Sequence, residues 1–83
     1  MDTTKVLKDC RDNLSPTQFA DGIRMMRLIR EFGGFVALRH DFYHSDILAV
    51  MDAGLFKIAD TMEYEISPEG MAILKTFDPL PRP

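Results

Sequence analysis

Arg24, Arg27 and Arg30 recur at every third position of the 83-residue chain. On a helix that spacing fans three guanidinium groups over about 120° of surface. Arg39 and His40 follow shortly after, and Lys57 lies further along. Clustered cations of this kind bind anions, above all the phosphates of a nucleic acid. The competing reading is a solvated helix face, because arginine is a good helix former and Asp21 and Glu31 are its neighbours here.

Other residue types offer less chemistry. His40 and His44 stand four apart, with Asp41 and Asp46 beside them. Two histidines at that spacing on one helix can hold a metal. The helix is expected to start after His40 and no third ligand is indicated, so no metal site is expected. Cys10 has no defined base or orienting group near it and reads as a small buried apolar residue. The chain has no glycine-rich phosphate loop, no paired catalytic carboxylates and no serine elbow. So short a chain also leaves little room for a substrate cleft. A non-catalytic protein without a cofactor is expected.

Charge and hydropathy narrow the class. Ten basic and thirteen acidic side chains give a net charge of −3, which excludes a uniformly basic coat. The balance is uneven along the chain. Residues 1–40 carry seven basic and five acidic groups, a net +2, and residues 41–83 carry three and eight, a net −5. An anionic partner is therefore favoured on the first half. The longest apolar run, Ile47 to Met51, is five residues, too short to span a membrane. The first residues show no hydrophobic signal segment and there is one cysteine, so a reduced, cytoplasmic protein is expected.

These groups need elements to hold them. Val6, Leu7, Cys10 and Leu14 recur at helical spacing and predict a helix over about 3–13, capped by Asp2 or Thr3. Ser15-Pro16-Thr17-Gln18 is a capping box with proline at the first helical position. Phe19, Ile23, Met26, Leu28 or Ile29, and Phe32 continue it as an apolar stripe, and Gly33-Gly34 stops it. That predicts a helix over 16–32, which carries the three arginines. Gly22 inside it weakens it by about 1 kcal/mol unless a neighbour packs closely there.

Phe35-Val36-Ala37-Leu38 suits a short strand. A helix over about 45–53 follows, capped by Asp41 or Ser45 and ended by Gly54. Phe56 and Ile58, then Met62, Tyr64 and Ile66, alternate as a hairpin, although its turn lacks the Asn-Gly or Asp-Gly that would set the register. Ser67-Pro68-Glu69-Gly70 starts a last helix lined by Met71, Leu74 and Phe77. Residues 1–14 therefore read as an accessory or dimerising helix, 15–77 as the main domain and 78–83 as an extended, proline-rich tail.

Gly54-Leu55, followed by Tyr64, Ile66, Ser67, Gly70 and Leu74, resembles the closing pattern of winged-helix domains. In that pattern a helix ends in Gly-Leu, a β-wing follows, and a Tyr-x-Ile-Ser-x-x-Gly-x-x-x-Leu segment closes the fold. The resemblance covers roughly 16–77 and implies a winged-helix-like α+β fold of about four helices with a small antiparallel hairpin. Only about ten residues separate Gly34 from the helix at 45–53, where a standard domain fits a support helix as well. Either Asp41–His44 forms one turn of it or the domain is a reduced form.

Two functions follow. The resemblance implies a small DNA-binding transcription regulator, expected as a dimer, with Arg24, Arg27, Arg30, Arg39 and Lys57 on phosphates. The alternative is a protein-interaction module or inhibitor that uses an acidic or apolar surface, with Val6, Leu7, Leu14, Tyr43 and Asp46 as contacts to a protein partner or second copy. The stretch from Asp41 to Phe56 has no Lys or Arg. A helix docked in a major groove needs cations to bring the phosphates in, so this stretch separates the two.

Overall fold

Over residues 3–77, which the computed structural model describes, four helices and one antiparallel two-stranded sheet form an α+β fold. The order is α1 (Thr3–Asn13), α2 (Pro16–Phe32), a 3-10 turn (Leu38–His40), α3 (His44–Asp52), β1 (Phe56–Ile58), β2 (Tyr64–Ile66) and α4 (Pro68–Phe77). The expected cap at Asp2 or the side chain of Thr3, the side chain of Val6 and the tail at 78–83 lie outside the described residues.

Local chemistry sets the bounds of α2. The Ser15 amide donates to Gln18 Oε1 and the Gln18 amide to Ser15 Oγ, both at 3.1 Å. Two otherwise orphaned amides are thereby satisfied. At the other end Gly33 turns left-handed (φ 63°), and the Gly34 amide donates to the Ile29 carbonyl at 3.0 Å. Inside α2, Gly22 faces Val50; a Cβ there would lie 3.2 Å from Val50 Cγ1. This is the close neighbour that gives a mid-helix glycine its use. Of the apolar stripe, Met26 and Ile29 are buried, together with Met25 from the next row, whereas Phe32 projects outward.

The expected strand at Phe35–Leu38 does not form. One bond, from the Tyr64 amide to the Gly34 carbonyl (3.2 Å), ties the start of this segment to β2. The chain then curls away, with the His40 amide donating to Ala37 and the Asp41 and Phe42 amides to Leu38. The single helical turn before α3 is therefore at Leu38–His40 and not at Asp41–His44. Neither Asp41 nor Ser45 caps α3. Tyr43 holds that position in an extended conformation, without a side-chain bond. Asp41 already ends the 3-10 turn, and Ser45 falls inside the first turn of α3.

After α3, Gly54 takes φ 86°, its amide donates to Met51 and the Leu55 amide reaches back to Val50. That is a Schellman closure with Leu55 as its apolar contact. The hairpin pairs Phe56 with Ile66, Lys57 with Glu65 and Ile58 with Tyr64. Met62, expected in the second strand, instead sits in the turn at φ 69° and is 81% exposed. Its amide donates to Ala59, and the Ala59 amide to Glu63. This is a three-residue loop whose last position is normally glycine or asparagine.

Ser67 joins the hairpin to α4. Its hydroxyl accepts from the Gly70 amide (3.0 Å) and donates toward the carbonyls of Gly54 and Leu55. Its amide donates to Leu55 at 3.0 Å. Gly70 sits against that same Leu55 carbonyl, too close for any side chain. One core runs through all of this. Cys10 and Leu14 of α1 lie with Met25, Met26 and Ile29 of α2, Leu38, Phe42, Ile47, Val50, Leu55, Phe56, and Ile73 and Leu74 of α4. Phe77 lies at the edge of that core, edge-on to Phe19 with ring centroids 5.6 Å apart.

Candidate functional site

Because α2 buries Gly22, Met25, Met26 and Ile29, its opposite face looks toward solvent. Arg24 and Arg27 are exposed and Arg30 is half-buried. Arg24 Nη1 lies 3.4 Å from Asp21 Oδ1, and its guanidinium carbon is 5.2 Å from the centre of the Phe42 ring. Phe42 itself is buried, held by its amide bond to Leu38. The segment from Leu38 to Tyr43 is thus anchored by two apolar side chains and leaves its polar ones outside.

Between α2 and this segment lies an open depression of about 320 Å³ lined by Arg24, Arg27, Leu28, Glu31, Asp41 and Phe42. A second, of about 340 Å³, is lined by Arg39, His40, Asp41, Phe42 and Tyr43. The two share Asp41 and Phe42. The fold therefore places Arg24 and Arg27 in one depression and Arg39 in the adjoining one, together with the carboxylates of Glu31 and Asp41. The two depressions together carry three guanidinium groups and two carboxylates, with His40 alongside and Arg24 paired to Asp21. Arg30 and Lys57 line neither depression. Lys57 stands on β1 with its ammonium 3.9 Å from Glu65, a surface pair of little energetic weight.

The contacts expected for a protein partner scatter. Leu14 is 5% exposed, so its apolar surface is already used within its own core. Leu7 packs on the same core. Asp46 is half-buried and accepts from Gln18 Nε2 at 3.4 Å, which ties α3 to the start of α2. Among those whose side chains are described, Tyr43, 80% exposed, is the one that presents its side chain outward. The outer surface of α3 offers His44, Ser45, Leu48 and Asp52, with no cation. Asp60 and Glu65 add exposed carboxylates on the hairpin.

Phe35, expected in a short strand, is instead 75% exposed. The double glycine before it was the available signal, since a chain leaving a left-handed turn need not continue into a sheet. An apolar depression of about 390 Å³ between Arg11, Leu14, Pro16, Phe19 and Phe77 was not foreseen either. Its walls come from α1, α2 and α4 together.

Cys10 is buried among apolar neighbours. Burial pushes its thiol up from the ordinary range, and the nearby charge of Asp9 adds to this, so the sulfur stays protonated and unreactive at neutral pH. His40 belongs to the 3-10 turn and His44 opens α3, so the two do not share a helix. Among the described residues no group of three or more potential ligands converges on a metal position, and no helix is long and apolar enough to cross a membrane. No protein-family model matches the chain, and no curated protein or solved structure matches it significantly.

Proposed function

We propose that this protein is a non-catalytic, nucleic-acid-binding regulator of winged-helix type that works in the cytoplasm and meets DNA through α2 and the Leu38–Tyr43 segment. The carrying observation is the convergence of Arg24, Arg27 and Arg39 on the two joined depressions. The order α2, turn, α3, hairpin, α4 supports the winged-helix reading. The cation-free α3 argues against the usual docking of that fold, because carboxylates facing phosphates are repelled and cannot release counterions. The reduced compartment suits a buried free thiol.

A fluorescence-anisotropy titration of random-sequence duplex DNA at two salt concentrations tests this. Binding should weaken with salt with a logarithmic slope of about −2 to −3, as expected for two or three neutralised phosphates. Arg27→Ala and Arg39→Ala should each weaken binding and flatten that slope. Absence of binding at low salt to this duplex and to a single strand of the same length would overturn the proposal.

A second reading, recognition of a protein or a second copy, is favoured by the exposed Phe32 and Phe35 that follow one another at the end of α2. Light scattering across a concentration series, with Phe35→Ser as the control, separates it from the first. A monomer at all concentrations removes the dimer.

A further inference from the structure

The face that carries the arginines also carries an aromatic ring that the fold does not use. Tyr43 is 80% exposed and lines the same depression as Arg39 and His40. Its neighbours in the chain explain why it is free. Leu38 and Phe42 already anchor the segment in the core, and Tyr43 caps α3 through its backbone without a side-chain bond.

An exposed ring beside guanidinium groups offers a flat surface on which a nucleobase can stack while the cations hold its phosphates. In a duplex the bases are already stacked and paired, and such a ring finds no partner. A duplex also carries a second phosphate strand, for which α3 and the hairpin offer carboxylates in place of cations. There Asp52, Asp60 and Glu65 are exposed, and Lys57, the only Lys or Arg between Asp41 and Ile73, lies beside Glu65. A single strand that follows Arg27, Arg24 and Arg39 passes Glu31 and Asp41 but need not meet those further carboxylates.

We infer that the ligand of this face is single-stranded nucleic acid, with a base stacked on Tyr43 and its flanking phosphates on Arg39 and the α2 arginines. This rests on the nucleic-acid reading above and gives it a substrate class. Recognition by stacking is tolerant of sequence, since every base presents a π face.

The test uses the full chain, fluorescein-labelled oligothymidylate of about 12 nucleotides and a duplex of the same length. The single strand should bind more tightly than the duplex. Tyr43→Ala should lower single-strand affinity about 10-fold or more, the loss expected for one stacked base. Tyr43→Phe should restore it, because the ring and not the hydroxyl stacks. Arg27→Ala should weaken binding to both probes, and Tyr43→Ala should leave duplex binding and the melting temperature unchanged. Unchanged single-strand affinity in Tyr43→Ala, or tighter binding of the duplex, would overturn the inference and leave the nucleic-acid function standing. Failure to bind either probe at low salt would overturn both.

Discussion

Two short connections in this molecule treat their residues in opposite ways. At the entry to α4, Leu55 and Gly70 are buried, Ser67 ties them to Gly54, and backbone meets backbone. The Leu55 carbonyl alone receives the Ser67 amide, lies within reach of the Ser67 hydroxyl and fills the space a side chain on Gly70 would need. At the entry to α3, Leu38 and Phe42 hold the chain while Arg39, His40, Asp41 and Tyr43 face solvent. The first is specified by what cannot be added, the second by what has been left outside. Residues that serve the fold and residues available for binding are thus separated by connection, even though both connections feed the same core.

Substitutions at the two sites should therefore differ in kind. Gly70→Ala should be the most damaging, because a methyl there collides with the Leu55 carbonyl and with Ile66, and neither can retreat without breaking the Ser67 bonds. A loss of about 3 kcal/mol is expected from overpacking so rigid a contact, read by chemical denaturation. Gly54→Val comes next. Its space is open, but φ of 86° resists a β-branched residue, at a cost of about 2 kcal/mol. A loss of only a few tenths would remove the left-handed cap from the account.

Ser67→Ala should cost about 1 to 2 kcal/mol through the lost cap and the weakened tie to Leu55, with Thr a partial substitute in the same melts. At the α3 entry, Arg39→Ala and Tyr43→Ala should each change stability by less than about 0.5 kcal/mol, since neither is needed by the core. A destabilisation comparable to that of Ser67→Ala would erase the distinction between the two connections.

How far each region can be read from sequence follows the same division. The bounds of α2 are written in Ser15, Pro16, Gln18 and Gly33, whose effects act within a turn or two of the chain, and they emerge as expected. The Gly54 closure is equally local. Phe35–Leu38 misleads because β-prone residues form a strand only beside a partner, and β2 offers Gly34 a single bond. The hairpin register stayed open because Met62 occupies a left-handed position that usually announces itself as glycine.

At the candidate site, the spacing of Arg24 and Arg27 was legible, but their meeting with Arg39 depends on how Phe42 packs on α2. The diluting carboxylate of Asp41 arrives by the same route. Lys57 and Arg30 counted equally in a tally of charge, yet the fold places them away from the two depressions.

One arrangement bears on how the protein is made. Helix α1 packs against α4, so Cys10 and Leu14 share their core with Ile73 and Leu74. During synthesis the early helices leave the ribosome with an apolar face whose cover has not yet been translated. Completion of the fold must wait for nearly the last described turn. Until then the nascent chain presents Leu14, Met25 and Met26 to whatever chaperone is at hand. Premature termination before Ile73 should therefore yield a species cleared by proteolysis, and not a shorter working domain.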